Sequence, residues 1–154
     1  MMNGAVTIGT LDGANVEISE AVGLSNIYLF GMTAEEVAAL YKEGTYAPIQ
    51  HFEQNVEIRK ALTQMIDGTL FPDNPAVVQM LYHDLLFGSG GGKPDNFFVL
   101  KDFGSYAQAH DRVSQDFKDR ELWLKKAITN TAMFGYFSTD RTIAEYNEKI
   151  WKLK

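Results

Sequence analysis

The spacing of apolar residues changes character near position 32. Before it, apolar residues come in short runs broken by glycine; after it, they recur at helical intervals. Val6 to Leu11 is rich in β-branched residues and bounded by glycines, which predicts a short strand. The next residues fit two readings. Asp12-Gly13 between two apolar runs suits a type I′ hairpin, with Ala14 to Ile18 as the return strand. Equally, Asp12 could cap a short helix that turns Ala14, Ile18, Ala21 and Val22 inward and stops at Gly23. Local pattern leaves both open. Ile27 to Phe30, stopped by Gly31, predicts a second strand, buried in a parallel sheet.

From Thr33 onward the pattern is helical. Thr33 and Glu36 have capping-box spacing, with Val37, Leu40 and Tyr41 on one face and Gly44 as the stop. Ile58, Ala61, Leu62, Met65 and Ile66 form an amphipathic stripe ending at Gly68. Asn74-Pro75 supplies a cap and a proline at the first helical position, ahead of Val77, Val78, Leu81, Tyr82 and Leu85. Phe97 to Leu100 reads as a short extended piece before a helix through Tyr106, His110, Val113 and Phe117. Asp119 caps the next helix, whose inner face would be Trp123 or Leu124 with Ala127, Ile128 and Thr131. Ser138 caps the last, with Ile143, Tyr146, Asn147, Ile150 and Trp151 at helical spacing. The expectation is an α/β chain, strand-rich over 1–31 and helical over 32–154, with two short strands and six or so helices.

Composition narrows the functions this pattern can serve. The chain has 154 residues, 45% hydrophobic and 22% charged, which suits a folded domain and is too apolar for a disordered one. A formal net charge of −6 disfavours a nucleic-acid partner, which requires clustered cations. Without cysteine, disulfides, thiolate zinc sites and cysteine nucleophiles are excluded. No basic leader or long apolar run marks a signal peptide or membrane span, so a cytoplasmic protein is the default expectation. An apolar motif begins within three residues of Met1, which suggests that further fold lies upstream.

Three constellations carry possible chemistry. The loop Gly88-Ser89-Gly90-Gly91-Gly92-Lys93 resembles a phosphate cradle, but Phe87 and Pro94 stand where a P-loop has its first glycine and its Ser or Thr. It reads as a flexible surface loop. His83-Asp84 and His110-Asp111 could hold a divalent metal between helices, making a metal-dependent hydrolase one alternative; as isolated pairs, they suit surface or capping polar groups better. The aromatics Trp123, Phe134, Phe137, Tyr146 and Trp151 could line a sugar or peptide groove, although their helical spacing favours core packing. No Gly-x-Ser-x-Gly marks a serine nucleophile.

The run Asn3-Gly4-Ala5-Val6-Thr7-Ile8-Gly9-Thr10-Leu11-Asp12-Gly13-Ala14-Asn15-Val16-Glu17 closely resembles the signature that comes after the cofactor lysine in glycogen, starch and maltodextrin phosphorylases. The resemblance continues at Phe30-Gly31-Met32, at Asp102-Phe103-x-Ser105-Tyr106 and from Phe137 to Tyr146, and thus spans nearly the whole chain. Gly88 to Asp95 is its least family-like part.

The resemblance implies a partial Rossmann-like C-terminal domain of a two-domain glycosyltransferase of GT-B type, with strand then helix after Thr10. It implies a parent enzyme that uses pyridoxal 5′-phosphate to transfer the terminal glucosyl unit of an α-1,4-glucan to phosphate, giving glucose 1-phosphate. In the family pattern the lysine would sit two positions before Met1, and the groups that grip the cofactor and substrate phosphates lie further upstream. No catalytic, cofactor-binding or metal residue is therefore expected here, and no cofactor bound to this chain. Asn3, Gly4, Thr10, Asp12, Gly13, Asn15 and Glu17 would support the cofactor neighbourhood from behind, or simply build the turn. Further expectations are inactivity, self-association through apolar surface, and no nucleic-acid or membrane partner. The alternative is a non-catalytic helical interaction module.

Overall fold

The computed structural model of the chain describes residues 1–154. Strand β1 (Ile8–Thr10) leads through Gly13 into helix α1 (Ala14–Val22), a 3-10 turn (Leu24–Asn26) and strand β2 (Tyr28–Phe30). The strands pair in parallel, with Ile8 opposite Tyr28, Gly9 opposite Leu29 and Thr10 opposite Phe30. Parallel neighbours need a crossover, and α1 supplies it; the hairpin reading of Asp12-Gly13 is overturned. Gly13 itself, at φ 47° and ψ −133°, occupies the N-cap, a backbone conformation that side chains disfavour. Asp12 does not cap α1: its carboxylate accepts a bond from the Thr10 hydroxyl at 3.1 Å.

Seven more helices complete the chain: α2 (Ala34–Glu43), α3 (Pro48–Gln54), α4 (Val56–Ile66), α5 (Pro75–Phe87), α6 (Val99–Asp116), α7 (Arg120–Met133) and α8 (Thr139–Tyr146). The Thr33/Glu36 capping box forms in both directions, and Gly44 closes α2 in the left-handed conformation. Asp119 and Ser138 cap α7 and α8 by accepting the amides of Leu122 and Arg141. Asn74 stands before α5 but makes no capping bond with its side chain. The pattern of residues did not announce α3, a single short helix started by Pro48. Phe97 to Leu100 is not extended. Phe98 lies at φ 55°, α6 begins at Val99, and Asp95 rather than a strand sets up its first turn. A turn of π-helix (Asn147–Trp151) ends the helical run.

Contacts divide the chain into two compact units, Met1–Phe30 with Ala109–Lys154, and Gly31–Gln108. The Gly31–Gln108 unit has an apolar centre of Ile58, Leu62, Leu86 and Leu100, with Ile49, Phe52, Met65, Tyr82, Leu85 and Phe103 packed around it. Two separated stretches of that unit are tied by side chains on α6. Ser105 Oγ accepts the Gly31 amide at 2.9 Å, and Asp102 Oδ1 accepts the Met32 amide at 3.1 Å. Burial raises the Asp102 carboxyl above the usual range, against the pull of the Met32 amide.

The other unit is centred differently. Val22, Ile27, Tyr28 and Ala109 are buried in it, together with the polar Ser19, Lys126 and Asn130. On α7 the buried side chains are Lys126 and Asn130; of the expected inner face, Trp123 and Ala127 are half-buried, whereas Ile128, Thr131 and the alternative Leu124 are exposed. Tyr146 and Trp151 stack on each other with centroids 5.5 Å apart but stay about half exposed, so they do not form the expected aromatic core. No helix is long and apolar enough to cross a membrane.

Candidate functional site

The turn from β1 into α1 is built from the residues singled out in the sequence. Asn15 reaches back from the first turn of α1, its Nδ2 donating to the Thr10 carbonyl at 2.8 Å. That bond is possible only because Gly9 has no side chain: a Cβ there would lie 2.5 Å from Asn15 Nδ2. Thr10, Asp12, Gly13 and Asn15 are thus brought together as one hydrogen-bonded turn. Gly9 was not among the candidates. A glycine in mid-strand is the signal that could have found it, since it marks a close approach.

Asn3 and Gly4 belong to a separate contact. Gly4, at φ 78°, lies against α7, where a Cβ would sit 3.6 Å from that of Ala127, and the Thr131 hydroxyl donates to the Met1 carbonyl at 3.4 Å. Asn3 Oδ1 accepts the Ala5 amide at 3.4 Å. Together with Ala127, Ile128 and Thr131 they border a shallow groove of about 480 Å³. Glu17 is exposed in the first turn of α1, where a carboxylate suits the positive end of the helix dipole.

A second polar cluster lies on the same unit. Lys126 donates to the Ser25 carbonyl, pairs with Asp116 at 3.4 Å and sits 5.1 Å above the Tyr28 ring. The Tyr28 hydroxyl donates to Asp116 at 2.7 Å; burial first, then this bond to a carboxylate, holds the phenol above its ordinary range. Asn130 Nδ2 donates to the carbonyls of Asn26 and Lys126, while its buried Oδ1 has no partner. The cleft beside them, about 480 Å³, is lined by Leu24, Tyr28, Arg112, Gln115, Asp116 and Lys126. None of these polar residues was a candidate, because Lys and Asn at i, i+4 on a helix read as a solvated face.

The remaining motifs resolve into local contacts. His83 packs its ring on Phe87, and Asp84 accepts the Ser89 hydroxyl at 2.7 Å. No group of three His, Asp or Glu side chains converges to hold a metal ion. In the glycine-rich loop the Gly92 amide donates to the Ser89 carbonyl at 2.8 Å, and a Cβ on Gly88 would collide with the Gly92 carbonyl. At the C-terminal motif, Arg141 donates to the Tyr136 carbonyl, pairs with Glu145 and lies 4.1 Å above the Tyr136 ring. Lys149 and the Arg141 guanidinium hold the Glu145 carboxyl below the usual range.

A parallel strand–helix–strand unit entered through a glycine-shaped turn, followed by a helical remainder, defines a mostly helical α/β chain with a small two-stranded sheet. Residues 1–153 match the family model described as Phosphorylase: Carbohydrate phosphorylase. The chain is 43% identical over 154 residues to a glycogen phosphorylase of Bacillus subtilis (strain 168), covering all of this chain and 18% of that protein. To a maltodextrin phosphorylase of Streptococcus pneumoniae serotype 4 it is 41% identical over 155 residues, 99% of this chain and 20% of the relative. To the brain form of human glycogen phosphorylase it is 39% identical over 155 residues, 98% of this chain and 17% of the relative. The chain belongs to the carbohydrate phosphorylase family. It spans about 18% of the length of the curated relatives it matches.

Proposed function

We propose that this chain is the C-terminal segment of an α-glucan phosphorylase, the stretch that comes after the cofactor lysine and belongs to the Rossmann-like C-terminal domain of a GT-B glycosyltransferase. The parent enzyme transfers the terminal glucosyl unit of an α-1,4-glucan to inorganic phosphate. The single observation that carries this reading is the β1–α1 turn. The motif shared with the family coincides with a set of interlocked residues, Gly9, Thr10, Gly13 and Asn15, whose geometry tolerates little substitution. Thr10, Asp12, Gly13 and Asn15 hold that turn, with Asn3, Gly4 and Glu17 flanking it, and in the parent they support the cofactor neighbourhood from behind.

By itself the 154-residue polypeptide is catalytically silent in this reading. Pyridoxal phosphate needs a desolvated, unengaged amine beside backbone amides that can take its phosphate. The residues present do not fit that need. Lys126 is the one buried lysine, and its ammonium is committed to the Ser25 carbonyl and Asp116 over the Tyr28 ring. No lysine stands in the β1–α1 turn. Incubation with pyridoxal phosphate followed by borohydride tests this: mass spectrometry is expected to find no single lysine labelled stoichiometrically, and selective labelling of one lysine contradicts it.

A second reading, a helical module that acts by association, is favoured by exposed apolar side chains at helical spacing. Val77, Met80 and Leu81 on α5 are each about half exposed or more. Within the phosphorylase reading the same surface is the one that self-association of the isolated chain would bury.

A further inference from the structure

The Gly31–Gln108 unit carries a pocket that none of the family motifs occupies. It lies where the end of α2, the connection from α2 to α3 and the loop before α6 converge, and is lined by Leu40, Tyr41, Tyr46, Lys93, Asn96 and Phe98, with a volume of about 240 Å³. Its walls are aromatic. Tyr41 and Tyr46 each meet Phe98 edge-on, with centroids 4.8 and 4.9 Å away, which fixes all three rings. Asp95 underpins them. Its Oδ2 accepts the Tyr46 hydroxyl at 2.5 Å and the Leu100 amide at 2.9 Å, and its Oδ1 the Val99 amide at 2.8 Å.

The unspent hydrogen-bonding capacity at this pocket is mostly donor. Asp95 has both oxygens engaged, so it offers a cation little, while its charge opposes an anion. The Lys93 ammonium rests 5.8 Å over the Tyr41 ring and has neither a carboxylate partner nor a hydrogen bond. Asn96 takes the Tyr41 hydroxyl on its carbonyl oxygens, leaving its Nδ2 unpaired. Rigid aromatic walls with free polar groups at the rim suit a flat ligand whose faces are C–H and whose edge is hydroxyl. The volume lies below the roughly 300–1,000 Å³ of drug-sized sites, which limits the occupant to about one ring.

We propose that this pocket binds one sugar ring, stacked on Tyr41 and hydrogen-bonded by Lys93 and Asn96, as a non-catalytic contact for a glucan chain. The sugar class comes from the pocket; the choice of an α-1,4-glucan rests on the phosphorylase reading. Lys93 stands at the end of the glycine-rich loop, so this loop serves a polyol rather than a phosphate.

The test is an amide-resolved NMR titration of the full chain with maltotriose and, separately, cellobiose. Saturable shifts at Tyr41, Asn96 and Phe98 with maltotriose are expected, weaker by about tenfold in Tyr41→Ala, the equivalent of one lost stacking contact. Tyr41→Phe should retain binding, and Asn96→Ala should weaken it while its spectrum reports an intact fold. Equal binding of cellobiose would overturn the α-glucan choice and uphold the sugar pocket. No saturable shift with either sugar, or shifts that survive both Tyr41→Ala and Asn96→Ala, would overturn the pocket itself.

Discussion

The two units reach stability by opposite routes. In Gly31–Gln108 the helices turn apolar faces inward around Ile58, Leu62, Leu86 and Leu100, and the buried carboxylate Asp95 has every oxygen matched. In the unit of Met1–Phe30 and Ala109–Lys154, helix α7 turns Lys126 and Asn130 inward and leaves Leu124 and Ile128 to solvent. The difference lies in what each helix has to cover. In the unit of Met1–Phe30 and Ala109–Lys154 the chain leaving α1 presents the carbonyls of Ser25 and Asn26 to α7, and a carbonyl that a helix partly covers needs a donor. Lys126 and Asn130 are those donors. In Gly31–Gln108 the α4 stripe meets other helices and matches apolar area, while the polar groups there are met by Asp95, Asp102 and Ser105 on or just before α6.

Substitutions can break this contrast in order of size. Leu62→Ala, which opens a cavity in the apolar centre, should cost about 3 kcal/mol, seen as a lower urea midpoint by circular dichroism. Lys126→Ala should cost about 2 kcal/mol: a broken buried pair is worth more, but Asp116 is about a third exposed and regains water. Trp123 and Trp151 are the only tryptophans and both belong to this unit, so their emission should track that loss. A Lys126 effect within a few tenths of a kcal/mol of zero would end the claim that this unit is held by polar contacts.

Two smaller tests sharpen the picture. Gly9→Ala and Gly13→Ala should each cost about 1–2 kcal/mol, the first by expelling Asn15 from the Thr10 carbonyl and the second by strain at a backbone conformation that favours glycine. Gly104→Ala, in open space on α6, is the neutral or stabilising control. The smallest effect is from pH. Burial, then the charge of Lys101, lowers the pKa of His51 below 6.5, against a pull upward from Asp95. A lowered folded value means the unfolded chain binds more protons near pH 6, so stability rises with pH through that range and is lost as pH falls below about 6.5. His51→Gln should flatten the slope of melting temperature against pH between neutrality and pH 5.

Much of the fold was legible where local rules and tertiary demands agree. The Thr33/Glu36 box, Gly44, Asp119 and Ser138 mark helix ends because the orphan amides and carbonyls they address are local. The amphipathic stripe of α4 held because Ile58 and Leu62 face other helices. Legibility failed where the partner is distant. Nothing near Lys126 in sequence tells of Ser25 or Tyr28, and nothing near Phe97 tells that Asp95 will gather Tyr46 and the first amides of α6. The family motifs proved more informative than periodicity. Phe30-Gly31-Met32 and Asp102-Phe103-x-Ser105 meet through two hydrogen bonds, and the motif around Arg141 is a capped, ion-paired helix start.

In the proposed reading the motif residues of this chain do structural work, and the chemistry of the parent enzyme rests on other groups. The most direct test of that claim is a phosphorolysis assay on the pure chain, with glycogen or maltoheptaose, inorganic phosphate and added pyridoxal phosphate, read as glucose 1-phosphate. No product is expected above the rate without protein. Glucose 1-phosphate that forms in proportion to the chain, and disappears when phosphate is omitted, would contradict the claim.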